Sequence, residues 1–164
     1  MLLWFAVAAP FLVAEVFRSP MVDYRMVALG ALLPLLEVFT GGAFVLHTLA
    51  APVIVLTVVM GATTGRRLLR RRLLGIPIGM FFHLVLDGTW ASTKLFWWPV
   101  FGLSFDELEL PEATLVGWRL VLELLAVSLA VVAWRRYGLD DPEARRRLVR
   151  TGHLPPAVRA IGRR

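Results

Sequence analysis

The sequence predicts an all-α membrane protein, a polytopic bundle of five transmembrane helices, and three observations support this prediction. Apolar residues make up 58% of the 164 residues, and the mean hydropathy is +0.70, above the usual range for globular domains. Only 18% of the residues are charged. These charges stand in short blocks between long apolar runs. The composition therefore excludes a disordered chain and is not typical of a soluble enzyme.

Each predicted span corresponds to one apolar run, and the runs cover residues 1–17, 26–39, 43–62, 73–91 and 114–134. A bilayer core about 30 Å thick needs about 20 apolar helical residues. The first run lacks the basic start and the small-residue cleavage site of a signal peptide, so it is interpreted as a span. The run over 26–39 is the shortest, and we expect it either to span or to form a re-entrant segment.

Blocks of arginine give the predicted orientation. Loops rich in Lys and Arg stay on the cytoplasmic side of a membrane. Such blocks follow the first, third and fifth runs, whereas the segment 92–113 carries four acidic residues against one lysine. We therefore expect the N-terminus outside and the C-terminus in the cytoplasm. The predicted domains are a transmembrane bundle over 1–136 and a basic cytoplasmic tail over 137–164.

The basic residues also predict the partners. Because they flank apolar runs, the lipid bilayer is a better first partner than nucleic acid, despite the net charge of +6. Anionic lipid headgroups are expected at the arginines after the third run, which are Arg66, Arg67, Arg70, Arg71 and Arg72. The sequence contains no cysteine, which excludes a disulfide framework, a thiol nucleophile and a thiolate metal site.

Four ionisable side chains within the apolar runs form the candidate site, and they are Glu37, His47, His83 and Asp87. Such groups are costly at membrane depth, so each needs a partner or a task. His83 and Asp87 are four residues apart and share one helix face. With a rise of about 1.5 Å per residue, alternating spans would bring all four residues to the middle-to-outer part of the bundle. Two imidazoles and two carboxylates could complete a Zn²⁺ site or form part of a Mn²⁺ or Fe²⁺ shell.

Three interpretations of this cluster follow from the residues alone. A bound metal ion could activate water for hydrolysis, with Asp87 or Glu37 as the base. The same groups could instead form a satisfied polar cluster that locks helix packing. They could also serve a small transporter or a proton relay. Spacing alone leaves these alternatives open.

Short motifs along the chain carry a family resemblance. They are ALGALLP at 28–34, His47-Thr48, GMFFHLVLDG at 79–88 and WWP at 97–99. In this order they resemble the inner-membrane metal-dependent hydrolases, the family that includes the LexA-regulated membrane protein of enterobacteria. An actinobacterial branch of small membrane proteins is the more similar one. The resemblance covers residues 23–101.

The resemblance implies a multi-pass protein of the bacterial inner membrane that holds a divalent metal ion. It implies hydrolysis of a phosphoester or a lipid-linked substrate at an outward-facing site, with Glu37, His47, His83 and Asp87 as ligands. The family's His-x-x-x-Asp motif is intact at His83 and Asp87. Glu37 alone keeps a carboxylate where the family has two aspartates and a histidine, and His47 is one of two family histidines. The alternative that this departure implies is a degenerate, non-catalytic member.

Overall fold

The computed structural model describes residues 1–40, 44–103 and 116–157, and the regular structure in these residues is helical. The α-helices, in chain order, are α1 Leu2–Phe17, α2 Tyr24–Leu32, α3 Ala50–Ala62, α4 Arg67–Leu73, α5 Gly75–Leu86, α6 Thr93–Phe96, α7 Arg119–Arg136 and α8 Pro142–Thr151. Short 3-10 helices cover Pro34–Thr40, Val45–His47, Thr89–Ala91 and Val116–Trp118. The acidic stretch of the predicted outer loop, within 104–115, lies outside the described residues, as does the end of the predicted tail, 158–164.

Helices α2 and α5 pack backbone against backbone at the centre of the fold. A Cβ atom placed on Gly30 would lie 2.0 Å from the carbonyl oxygen of Ile76, and one on Gly79 would lie 2.0 Å from that of Val27. Real Cβ contacts are never this short, so only glycine permits this approach. Buried apolar side chains of the two helices flank the contact, namely Val27, Ala31, Met80 and Leu84.

Helix α1 lies against α2, α5 and α7. Phe5 and Ala9 of α1 form a buried cluster with Ala31 of α2. At its C-terminal end, the Glu15 carboxylate accepts hydrogen bonds from the Arg136 guanidinium at 2.7 Å and the Tyr137 hydroxyl at 3.0 Å. Burial and this hydrogen bond raise the pKa of Tyr137 to about 12. The phenol therefore stays protonated and keeps donating to Glu15 at neutral pH.

The residues after α7 fold back onto the start of α2. Asp23 caps α2 by accepting a hydrogen bond from the Arg25 backbone N–H at 3.1 Å. The Tyr24 N–H donates to the Gly152 carbonyl at 2.8 Å, and the Arg25 guanidinium donates to the Val149 carbonyl at 2.7 Å. The described part of the C-terminal segment is thus held against the bundle. The division of the chain into two domains at residue 136 stays a prediction.

The predicted transmembrane bundle is wrong for the part of the chain that the structure describes, because no helix there is both long and apolar enough to cross a membrane. Helix α3 has 13 residues and α5 has 12, or about 20 Å and 18 Å at 1.5 Å per residue, against a bilayer core of about 30 Å. Helix α7 has 18 residues but includes Arg119, Glu123, Arg135 and Arg136. The same finding overturns the expected multi-pass inner-membrane location and its orientation.

The apolar runs gave the wrong prediction because they are longer than the helices within them. The run over 26–39 changes from α2 to a 3-10 helix at Pro34, whose missing N–H interrupts the α-helical hydrogen bonding. In the run over 43–62, α3 begins only at Ala50, after a 3-10 turn and the extended Thr48. An average hydropathy counts such turns as if they continued the helix.

Replacing Gly79 with alanine tests the contact between α2 and α5. The added methyl group would meet the backbone of Val27, so the helices must separate, and we expect unfolding free energy to fall by about 1–3 kcal/mol or more. Urea unfolding followed by circular dichroism measures the change. Gly61→Ala in α3 is the matched control, because its Cβ would meet nothing within 4 Å. Equal losses in the two variants would contradict the interpretation.

Candidate metal centre

Three side chains with metal-ligand atoms meet between α5 and the segment before α3. His83 lies in the last turn of α5, and Asp87 follows as the C-cap of that helix. His47 ends the 3-10 helix Val45–His47. One ligand atom from each residue lies within 4.8 Å of the other two. All three side chains are buried, with 0% of His47, 0% of His83 and 5% of Asp87 exposed.

The separations of these atoms suit a shared ion. His83 Nε2 lies 3.4 Å from Asp87 Oδ2, and His47 Nε2 lies 3.7 Å from the same oxygen. In a tetrahedral zinc site with bonds of about 2.1 Å, neighbouring ligand atoms lie about 3.4 Å apart. The two imidazoles are edge-to-face, with ring centroids 5.3 Å apart. Small movements of the side chains would therefore bring all three atoms to bonding distance from one ion.

The orientation of His83 is set by α2 and α1. Its Nδ1 lies 2.7 Å from the carbonyl oxygen of Ala31. A carbonyl oxygen only accepts, so Nδ1 carries the proton, and in the neutral ring the Nε2 lone pair points toward Asp87. The Phe5 ring stacks on His83 with 3.9 Å between centroids. Since the Ala31 carbonyl is brought close by the α2–α5 contact, the orientation of this imidazole depends on that contact.

The orientation of His47 is set by Glu37. His47 Nδ1 lies 2.7 Å from Glu37 Oε2. The Glu37 carboxylate also accepts hydrogen bonds from the N–H groups of Phe44 at 2.8 Å and Leu46 at 2.6 Å. Burial raises the pKa of Glu37, but the hydrogen bonds from His47 and the two N–H groups outweigh it and hold the pKa below 4.5. Glu37 is therefore ionised at neutral pH, and the Nδ1–H of His47 donates to it.

The Asp87 carboxylate is fixed by one of its oxygens. Oδ1 accepts from the Thr89 N–H at 2.8 Å and the Thr89 hydroxyl at 2.5 Å. Gly88 has a φ of 79°, which glycine adopts without strain, so the chain can turn Thr89 back toward Asp87. Oδ2 is buried and has no hydrogen-bond partner among the described residues. This oxygen faces the Nε2 atoms of both histidines.

The arrangement of these atoms could accommodate a cation. Asp87 Oδ2 is buried without a hydrogen-bond donor among the described residues, which is costly for a carboxylate oxygen. A divalent ion bound to this oxygen and to the two Nε2 atoms would satisfy it. Two imidazoles and one carboxylate match Zn²⁺ with a water as fourth ligand, or the His₂-carboxylate set of Fe²⁺. This cluster could therefore hold a metal ion.

Three of the four residues that the sequence singled out are thus brought together, and they are His47, His83 and Asp87. Glu37 lies behind His47 and contacts its Nδ1, on the side of the ring away from Asp87. The assignments of Glu37 as a ligand, and of Asp87 and Glu37 as bases, stay predictions. The sequence analysis missed Thr89 and the Ala31 carbonyl. Thr89 could have been found, because Asp-Gly-Thr is a typical side-chain-to-backbone turn.

No family model matches the chain, and neither a curated protein nor a solved structure is significantly similar to it. The resemblance to the inner-membrane metal-dependent hydrolases therefore stays a prediction, and the function has to be argued from the site itself.

Replacing Glu37 with glutamine tests the hydrogen bonds of this carboxylate. Both Glu37 oxygens accept from N–H groups, so whichever way the glutamine amide is turned, its NH₂ would meet an N–H group and leave that donor without an acceptor. The free energy of unfolding should therefore fall by about 1–3 kcal/mol at neutral pH. The folded pKa of Glu37 lies below 4.5, so the stabilisation from its charge is complete above pH 4.5 and is lost as the pH falls through the folded value. The difference between wild type and variant should therefore narrow on acidification. Urea unfolding across this pH range measures it, and a constant difference would contradict the assignment.

Proposed function

We propose that this chain binds one divalent metal ion, most simply Zn²⁺, and uses it to hydrolyse a phosphoester on a soluble or lipid-linked molecule. The ligands would be His47 Nε2, His83 Nε2 and Asp87 Oδ2. One observation carries the proposal: one ligand atom from each of the three residues lies within 4.8 Å of the other two, at a place where Asp87 Oδ2 has no hydrogen-bond partner among the described residues. Three protein ligands are typical of catalytic zinc sites, which keep a fourth position for water.

The residues around the three ligands have defined roles in this proposal. An ion held here would lower the pKa of a bound water and polarise a phosphoryl oxygen. The Ala31 carbonyl holds His83 in the tautomer that presents Nε2. Glu37 does the same for His47, and its negative charge makes that imidazole a stronger ligand. Thr89 occupies Asp87 Oδ1, which leaves Oδ2 aimed at the imidazoles.

Asp87 is the better candidate for the base of the two carboxylates. A general base has to be within hydrogen-bond reach of the proton that it takes up, directly or through one water. Asp87 Oδ2 is in the cluster itself, and with one lone pair on the ion its second lone pair would be the one that takes up the proton. The Glu37 oxygens accept hydrogen bonds from three donors on the far side of His47. Glu37 would have to give up these bonds before it could accept a proton from water.

A second candidate function is a structural metal site, and the burial of the ligands favours it. His47 and His83 are 0% exposed, and Asp87 is 5% exposed. Structural zinc sites are closed to solvent, whereas catalytic sites keep an open coordination position. In this alternative the ion joins α5 to the segment before α3 and stabilises the fold, and the protein is a non-catalytic relative of the hydrolases that it resembles.

Metal content separates a metal site from a polar cluster. After expression with added zinc, we expect close to one equivalent of metal per chain in the wild type, by inductively coupled plasma mass spectrometry. His83→Ala should lose it, because only two ligands remain. Glu37→Gln should bind about 10–100-fold more weakly, because it alters a residue that orients a ligand. His153→Ala is the matched control, since this histidine lines a different cavity, and it should keep the metal. Wild type without metal would refute the metal site.

Turnover then separates catalysis from structure. If the site is catalytic, the zinc-loaded wild type should hydrolyse a chromogenic phosphomonoester or phosphodiester, and Asp87→Asn should lower kcat by at least about 100-fold. If the site is structural, zinc should raise the Tm in proportion to its binding with no hydrolysis of either substrate. Hydrolysis that is equal in wild type and His83→Ala would come from a contaminant and would contradict the catalytic function.

A further inference from the structure

A cavity of about 280 Å³ lies between α2, α4 and α8, and its lining is strongly basic. The charged and titratable residues that line it are Asp23, Arg25, Arg71, Arg72, Arg150 and His153. The cavity is at the N-terminal end of α2, where Asp23 is the cap, whereas the Ala31 carbonyl that holds His83 is near its C-terminal end. Eight residues of helix place the two about 12 Å apart. The cavity is therefore separate from the metal centre.

The lining contains one carboxylate and four guanidinium groups, which leaves an excess of three positive charges. Asp23 is 2% exposed. Arg25 binds it through two bonds, Nε to Oδ1 at 3.1 Å and Nη2 to Oδ2 at 2.8 Å. Arg72 Nε lies 3.5 Å from the same Oδ2. Asp23 is thus already engaged by two of the arginines.

The remaining two arginines come from different helices, Arg71 from α4 and Arg150 from α8. Among the described residues, neither forms a salt bridge or a side-chain hydrogen bond, although both line the cavity. Helix α8 is held against the start of α2 by the Tyr24–Gly152 and Arg25–Val149 hydrogen bonds. Helix α4 is joined to the same place by Arg72, which pairs with Asp23. Two guanidinium groups from different helices therefore line one cavity, with no counter-charge among the described residues.

We propose that this cavity binds a phosphate group, presented as a phosphate monoester. Guanidinium groups match phosphate oxygens with paired N–H donors, and charge-assisted bonds of this kind are the strong ones. A phosphate monoester carries close to two negative charges near neutral pH, which suits the excess positive charge better than a singly charged carboxylate does. Arg71 and Arg150 supply the new bonds, and Arg72 and His153 line the same space. Bound phosphate joins α4 to α8. This proposal is independent of the metal site.

Thermal unfolding in the presence of inorganic phosphate, with chloride at matched ionic strength as the reference, provides the first test. Phosphate should raise the Tm of the intact chain in a saturable manner, as a ligand of the folded state does. Arg71→Ala and Arg150→Ala should each weaken phosphate binding about tenfold or more, measured by calorimetry. Arg135→Ala in α7 and Arg147→Ala in α8 are matched controls outside the cavity lining, and they should bind as the wild type does.

A second test distinguishes the two sources of a phosphate monoester. Phosphatidylcholine vesicles with and without phosphatidic acid are sedimented with each variant. Sedimentation that requires phosphatidic acid and is lost in Arg71→Ala and Arg150→Ala, but not in the controls, identifies the source as a lipid headgroup. Binding of inorganic phosphate without such sedimentation identifies a soluble ligand. Equal losses in all four variants, or no binding of phosphate in either form, would overturn the proposal.

Discussion

The close approach of α2 and α5 is the constraint on which the geometry of the candidate metal centre depends. Glycines at positions 30 and 79 let the two backbones touch, and this brings the Ala31 carbonyl to within 2.7 Å of His83 Nδ1. If the helices were farther apart, a buried carbonyl and a buried imidazole N–H would both lack a partner, which costs more than the hydrogen bond itself contributes. The His83 tautomer that presents Nε2 to the cluster is thus a consequence of the backbone contact between α2 and α5.

Polar groups around His47 and Asp87 fix the orientation of these two side chains, as the helix packing does for His83. An ionised Glu37 behind His47 and a Thr89 that holds one oxygen of Asp87 leave three electron-rich atoms directed at one buried region. An unpaired polar group in low dielectric is destabilising, and Asp87 Oδ2 is such a group among the described residues. The orientation of the three groups, more than their identity, is what favours a bound cation.

The sequence predicted which polar side chains lie near one another better than it predicted the length of the helices. Spacing alone placed His83 and Asp87 on one helix face, and their ligand atoms lie 3.4 Å apart. The structure brings His47 beside them. Glu37 was expected to share the site and contacts His47 Nδ1 instead of joining the three-residue cluster. Hydropathy and spacing do not show this contact, because Glu37 and His47 lie in two separate 3-10 helices. The prediction of membrane spans was wrong for a related reason. An average hydropathy does not show that the α-helix gives way to a 3-10 helix at Pro34, so it overestimates the length of the helix.

The hydrogen bond from Arg25 to the Val149 carbonyl joins residues separated by 124 positions. Because of this separation, the basic cavity is completed later in synthesis than the candidate metal centre. The residues around the candidate metal centre, from Phe5 to Thr89, all precede α7 in the chain. The basic cavity lacks one wall until α8 has been made. Because chains fold from the N-terminal side as they are synthesised, the candidate metal centre has all of its residues before the basic cavity does.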